Sequence, residues 1–275
     1  MSSTADYVSL FKALPSLPPL TLLASFLLGL MRIAPIVAQS SFLGAKLPGG
    51  AKIGFALVLV LVMFPHILIS NTHPLTFDMQ FIGYALKEFL LGFIISFLVA
   101  IPFYIATSAG VLIDFLRGSS ALQVGDPTMQ TQSSPIGILY NQVLIVLFFQ
   151  VDGPFIFLDA LMQSYSFIPI DHYLPAHFFI KSHPFWQMII HLLTKFTALS
   201  IQFAAPSLVA ILMAEMFLGI ANRLAPQVQI AFLGMAIKSI LGIALLWAGW
   251  TFILQQMVKQ ALIWLSDLTK TLSSF

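Results

Sequence analysis

Long apolar stretches alternate along the chain with short connectors rich in proline, glycine and polar residues. A helix needs about 20 mostly apolar residues to cross a bilayer, and six stretches reach or approach that length. They span residues 20–43, 53–70, 81–113, 136–162, 185–221 and 230–265. The pattern predicts an all-α integral membrane protein of about six long apolar helices or helical hairpins.

Several of these stretches are longer than one crossing requires. We therefore expect them to be strongly tilted, broken, or not simple spans. Pro206 is a candidate break in the fifth stretch, because proline removes a helical hydrogen bond.

The composition agrees with a membrane location. Of the 275 residues, 59% are hydrophobic and 8% are charged, against about 25% charged in an ordinary soluble domain. So few charges cannot cover a folded surface of this size, and lipid or apolar protein neighbours must cover much of it. The net charge is +2 and the twelve Lys and Arg form no run, which argues against a nucleic-acid partner.

Motifs for catalysis or cofactor binding are missing from the sequence. It contains no H-E-x-x-H, no G-x-S-x-G and no glycine loop for phosphate, and it has no cysteine. His172, His177, His183 and His191 gather around the fourth connector without the spacing of a metal site. We expect no enzymatic activity, no cofactor and no bound metal.

Three charged residues, Arg32, Glu215 and Lys238, lie deep within apolar stretches, where an unpaired charge costs several kcal/mol. Glu215 precedes Pro226 by eleven residues and Lys238 follows it by twelve, so a hairpin turning at Pro226 places both at nearly the same depth. We predict an intramembrane ion pair. It is either a structural pair that allows two helices to insert together, or a proton-relay or coupling site.

Residues 110–120 lead into a polar stretch rich in small residues, 121–134, between the third and fourth apolar stretches. It is either an ordinary loop outside the membrane or irregular backbone at membrane depth. Such backbone is tolerated only where protein buries it or where it lines a watery cavity. Gly118 and Gly125 permit the turns that it needs.

Three blocks of residues together span most of the chain. The first is residues 110–127, GVLIDFLRGSSALQVGDP, and the second is residues 214–227, AEMFLGIANRLAPQ, followed by Gly234, Lys238 and Gly242. The third is Arg32-Ile33-Ala34-Pro35, followed by Pro48, Lys52 and Gly54. Together they resemble the export-gate family that includes FliR and SctT, the flagellar and injectisome members of the type III secretion export apparatus. Asp114 and Arg117 favour the injectisome branch.

The resemblance implies one membrane domain, residues 1–275, with a fused fold. Residues 1–184 would be similar to the SctR or FliP subunit, and residues 185–275 to the helical hairpin of SctS or FliQ. One copy would join SctR/FliP-like and SctS/FliQ-like subunits in a hetero-oligomeric export gate, with SctU/FlhB-like and SctV/FlhA-like proteins nearby. Unfolded secreted polypeptides would pass through it, and membrane lipid would surround it. The expected location is the bacterial inner membrane, with the chain held largely above the membrane plane in the assembled machine.

The function implied by the resemblance is that of a component of the protein-conducting channel, and the matching polar stretch of family members lies in that channel. We therefore predict a pore plug loop over residues 117–133 and a hairpin turn at Arg223, Pro226 and Gln227. The candidate plug residues are Arg117, Gly118, Ser119, Ser120, Ala121, Leu122, Gln123, Val124, Gly125, Asp126, Pro127, Thr128, Met129 and Gln130.

Two rival functions come from other classes. The first is an ion-coupled small-solute transporter that uses Glu215 and Lys238 as its midplane site. The second is a membrane enzyme that acts on lipid, for which the sequence offers no candidate set of nucleophile and base.

Overall fold

The computed structural model describes residues 18–43, 47–71, 74–118, 134–174, 184–224 and 230–272. These ranges hold eight α-helices and no strand. The helices are α1 Pro19–Gln39, α2 Gly49–Ser70, α3 Met79–Leu116, α4 Pro135–Gln150, α5 Gly153–Phe167, α6 Pro184–Leu224, α7 Ile230–Ala248 and α8 Trp250–Leu272. The predicted all-α fold is confirmed.

Within the described residues, four helices are long and apolar enough to cross a membrane: α1, α2, α3 and α6. Two further pairs pass the same test together, α4 with α5 and α7 with α8, and each pair is bent, by 74° and 63° respectively. The number of candidate spans is therefore four, or up to six if each bent pair is one span. The six predicted apolar stretches correspond to these six units in order.

The breaks occur at residues other than the one the sequence suggested. Asp152, between α4 and α5, has a left-handed backbone with φ +56° and is followed by Gly153-Pro154. Gly249 separates α7 from α8. The prediction that Pro206 could break the fifth stretch is wrong, because α6 continues through it. Helices tolerate proline where neighbours satisfy the freed backbone groups.

Two helices are much longer than a bilayer is thick. Helix α3 has 38 residues and α6 has 41, which correspond to about 57 Å and about 62 Å at ~1.5 Å per residue. The hydrocarbon core is ~30 Å thick. Each of these helices must therefore be strongly tilted or extend well beyond the hydrocarbon core.

The chain divides into two compact units, and the first comprises Met1–Ile101, Asp152–Ile190 and Trp264–Phe275. Its helices α1 and α2 pack closely, because Gly29 leaves room for the Ile67 side chain. Near the end of α8, Trp264 donates its indole N–H to the Leu98 carbonyl of α3 at 2.8 Å. This buried bond attaches the end of α8 to α3.

The second unit comprises Pro102–Val151 and His191–Ile263. Its core brings α3 against α4, where the rings of Phe103 and Phe148 pack edge to face at 5.6 Å. Helices α6 and α7 meet where the Ser207 hydroxyl donates to the Gly242 carbonyl at 3.0 Å. Small residues at such contacts let helix backbones approach closely.

Large apolar side chains cover the outer faces of α6 and α7. Phe217 is 71% exposed and Trp247 is 79% exposed. Further exposed members of the two faces are Leu212, Met213, Met216, Ile220, Ile240 and Ile243. Apolar surface of this extent is covered by lipid or by other proteins in a stable molecule.

The contact of α1 with α3 gives a test of the packing. A Cβ on Gly92 would overlap the backbone carbonyl of Arg32. We expect Gly92→Ala to lower the free energy of unfolding by about 1–3 kcal/mol, because the two helices would have to move apart. The measurement is the thermal unfolding midpoint in detergent, in the complex or form in which the wild-type chain is purified.

The matched control is Gly54→Ala. A Cβ on Gly54 meets nothing within 4 Å, and alanine favours a helix over glycine by about 1 kcal/mol. This variant should unfold at or above the wild-type temperature. Equal midpoints for the two variants would contradict the close approach at Gly92.

Candidate functional site

A fully buried arginine connects three helices of the first unit. Arg32 on α1 binds the carboxylate of Glu88 on α3 through two bonds, Nε to Oε2 at 2.5 Å and Nη2 to Oε1 at 2.8 Å. Nη2 also donates to the Ile168 carbonyl at 2.8 Å, and Nη1 donates to the Ser164 hydroxyl at 3.0 Å. The guanidinium lies 4.0 Å from the ring centre of Tyr165. Arg32 thus joins α1, α3 and α5.

The carboxylate of Glu88 has a second cationic partner. The Nζ of Lys87 lies 2.7 Å from Oε1 of Glu88, and both side chains are almost fully buried. The ammonium group also donates to three backbone carbonyls, those of Pro169 at 2.8 Å, Ile170 at 3.3 Å and His172 at 2.8 Å. The turn that follows α5 is therefore tied to α3.

Asp171 balances the charge of this group. Its buried carboxylate contacts Nδ1 of His172 at 2.8 Å, in the turn whose carbonyls bind Lys87. Arg32 and Lys87 supply two positive charges, and Glu88 and Asp171 supply two negative charges. We call these four residues the buried charge cluster. Buried charges are tolerated where they are paired and hydrogen-bonded. Each member of this cluster has such a charged or polar partner.

Sequence reasoning identified Arg32 but missed its partners. Glu88 is one of only two glutamates in the chain, and it lies next to Lys87 inside the third apolar stretch. A charge within an apolar helix needs a partner. The charged residues of the third apolar stretch could therefore have been recognised as partners of Arg32 from the sequence.

The second candidate region lies where α3 ends and α4 begins, in the second unit. Asp114 is buried on α3, and its Oδ2 accepts from the Ser134 hydroxyl at 2.6 Å and from the Ile136 amide at 2.9 Å. Nη1 of Arg117 lies 3.3 Å from Oδ1 of the same carboxylate. We call these four residues the Asp114 clasp. One carboxylate binds residues on both sides of the connector between α3 and α4.

Arg117 also reaches α7. Its Nη2 donates to the Ser239 hydroxyl at 3.1 Å. Its aliphatic carbons lie over Gly242, where an added Cβ would be 3.2 Å from them. On the other side of the clasp, Gly110 and Gly137 bring α3 and α4 together so closely that a Cβ on Gly110 would overlap the Gly137 backbone. Glycines therefore set the spacing around the clasp.

The structure places Glu215 and Lys238 side by side, on α6 and α7. The Nζ of Lys238 donates to Oε1 of Glu215 at 3.0 Å. The Glu215 side chain is 55% exposed and that of Lys238 is 19% exposed, so this pair lies at the surface of the second unit. Its role, structural or in ion coupling, stays a prediction.

The remaining predicted site residues fall in different places. Gly118 follows α3 with φ +87°, and Arg223 is exposed in the last turn of α6. Pro226, Gln227 and the plug candidates 119–130 lie outside the described residues.

Two of the four histidines around the fourth connector, His177 and His183, also lie outside the described residues, whereas His172 and His191 lie within them. Among the described residues, no three His, Cys, Asp or Glu side chains form a group that could hold a metal ion.

Residues 23–262 match the family described as bacterial export proteins, family 1. The chain belongs to this family. The Yop proteins translocation protein T of Yersinia pestis is 31% identical over 208 residues, which cover 74% of this chain and 77% of that protein. The secretion system apparatus protein SsaT of Salmonella typhimurium is 28% identical over 214 residues, or 78% and 80% of the two chains.

Flagellar relatives match as well. The flagellar biosynthetic protein FliR of Bacillus subtilis is 27% identical over 225 residues, covering 79% of this chain and 82% of that protein. The predicted membership of the FliR and SctT family is thus confirmed, and the two secretion relatives are slightly more similar than the flagellar one. Family and apolar helices together make this chain a membrane protein.

The buried charge cluster generates a prediction about stability. We expect Glu88→Gln to lower the free energy of unfolding by about 3–5 kcal/mol, because it leaves Arg32 and Lys87 buried without their shared counter-charge. The measurement is the thermal unfolding midpoint in detergent, in the same complex or form as the wild-type chain.

Asp159→Asn is the control, since it makes the same carboxylate-to-amide change at an exposed position of α5. This exposed substitution should change the free energy by no more than about 0.5 kcal/mol. If Glu88→Gln proves as mild as its control, the buried pair does not hold the first unit together.

Proposed function

We propose that this export-family member is a component of the protein-conducting export gate of a bacterial type III secretion system, in the inner membrane. The observation that carries the proposal is the family match across residues 23–262, together with relatives named for secretion and for flagellar biosynthesis. The identities favour the injectisome branch. The proposal assigns no catalytic step to the chain itself.

The expected partners are SctR/FliP-like and SctS/FliQ-like subunits, with SctU/FlhB-like and SctV/FlhA-like proteins as further neighbours. The exposed apolar faces of α6 and α7 support such an assembly, because they extend over most of a two-helix hairpin. The hairpin also fits the proposed likeness of residues 185–275 to SctS or FliQ. Held in such an assembly, the chain lies largely above the membrane plane.

We place the plug of the conduit in residues 117–133. One feature of the described structure and one of the sequence support this. The Asp114 clasp holds the two described ends of the connector at one place. The side chains between them are small, uncharged and polar for the most part, and such side chains can obstruct a passage without binding a passing polypeptide tightly.

The pair of Glu215 and Lys238 serves, in this proposal, to let α6 and α7 insert together. Arg223, Pro226 and Gln227 would form the turn that joins them. The rival function, an ion-coupled transporter of a small solute, would need the same pair at an enclosed midplane site. Its carboxylate is 55% exposed instead, which favours the structural role.

Co-purification tests the proposed function. When the tagged chain is expressed with SctR-like and SctS-like subunits, we expect a stable complex that retains all three proteins through size-exclusion chromatography in mild detergent. Expressed alone, the chain should aggregate or accumulate poorly, because its apolar faces lack their neighbours. A well-behaved monomer or homodimer that transports a solute and recovers neither subunit would instead establish the transporter.

A deletion tests the plug. Removing residues 119–123 from the complex should make the membrane permeable to small molecules while the complex stays assembled, since a shortened plug cannot fill the passage. The measurement is entry of a small impermeant dye into cells or reconstituted vesicles. Replacing the same five residues by a Gly/Ser sequence of equal length is the control and should leak less. An assembled deletion variant with wild-type permeability would exclude the plug.

A further inference from the structure

The surroundings of Lys87 form an almost complete shell of oxygen atoms around its ammonium group. Three are the carbonyl oxygens of Pro169, Ile170 and His172, at 2.8, 3.3 and 2.8 Å, and the fourth is Oε1 of Glu88 at 2.7 Å. The ring of Tyr84 covers another side, with its centre 5.9 Å from Nζ. The Lys87 side chain is only 4% exposed, so this shell is a closed site.

The geometry of the shell suits a cation rather than one particular side chain. Backbone carbonyls and a carboxylate are hard oxygen donors, and rings of carbonyls can replace the hydration shell of a monovalent ion. An aromatic face adds further attraction for a cation. Three of the four oxygens come from the turn after α5, whose backbone carbonyls converge on one point. Without a positive charge there, these dipoles would oppose one another.

We propose that Glu88, Pro169, Ile170 and His172 form a binding site for a monovalent ammonium-type cation, which Lys87 fills with its own side chain. Lys87 is then a positioning residue: its charge draws the three carbonyls together and so fixes the turn 168–172 against α3. A methylene chain without the charge cannot do this. The inference does not depend on the proposed function, since it concerns the first unit by itself.

The site should accept a free cation when the lysine is shortened. Lys87→Ala removes three methylene groups and the nitrogen, which is the composition of propylammonium. We expect this variant, in the complex or form in which the wild-type chain is purified, to unfold about 10 °C below wild type. Millimolar propylammonium should recover at least half of the lost unfolding temperature, and the recovery should saturate as the propylammonium concentration rises. Wild type should not respond.

Matched probes separate binding from general effects of salt or solvent. Tetramethylammonium has the charge without an N–H donor, and 1-butanol has the shape without the charge. Neither compound should raise the unfolding midpoint of the Lys87→Ala variant. Lys87→Met fills the space with an apolar chain, so propylammonium should not restore this variant either. Equal effects of the three probes, or a Lys87→Ala variant as stable as wild type, would overturn the proposal.

A second route uses the absence of cysteine from the chain. Because position 87 is buried, the Lys87→Cys chain is alkylated while unfolded and is then refolded. The reagent is 2-bromoethylamine, which returns an ammonium group at the length of lysine, or iodoacetamide, which adds a neutral amide. Only the first product should regain the wild-type midpoint. If Lys87→Ala does not accumulate in cells, propylammonium is supplied during expression. Restored accumulation supports the site, and unrestored accumulation overturns it.

Discussion

The bond between Arg32 and Glu88 is the constraint on which the first unit depends. Apolar helix faces are alike, and one such face can slide against another at little cost, whereas a guanidinium and a carboxylate satisfy each other in few arrangements. Here the guanidinium also binds Ser164 and the Ile168 carbonyl, so a shift of α1, α3 or α5 would leave a buried charge unpaired. We infer that the buried charge cluster fixes the register of these helices, because their apolar surfaces alone do not fix it.

The positions of the helices could be predicted from the sequence because one physical requirement, burial of a long apolar run in lipid or protein, determines them. A run of about 20 apolar residues has few alternatives to a helix in a lipid-exposed protein, and each predicted stretch contains a helix or a bent pair. The breaks in the helices could not be predicted from the apolar runs. Pro206 lies within a continuous helix, while the bends fall at Asp152, just before Gly153-Pro154, and at Gly249, within stretches that hydropathy reads as continuous.

Of two buried or partly buried ion pairs, one could likewise be predicted from the sequence and the other could not. Glu215 and Lys238 are 23 residues apart on helices joined by one predicted turn, so counting from Pro226 was enough to place them together. Arg32 and Glu88 are 56 residues apart, and a whole helix lies between them in sequence. Their meeting depends on how α1 packs against α3, which requires the close approach of Gly92 to the Arg32 backbone. Local geometry is predictable from sequence, but this long-range packing was not.

Helix α7 shows how the second unit can be held together and still leave most of its surface for neighbours. Among its described side chains, Lys238 binds Glu215 of α6, and the next residue, Ser239, binds Arg117, which directly follows α3. Gly242 supplies the close contact, since it lies under Arg117 and accepts from Ser207. Two polar contacts and a glycine thus do what a broad apolar interface does in a soluble bundle. The apolar residues of α7 need not be consumed in internal packing, which is the property expected of a helix that must contact lipid or other subunits over most of its circumference.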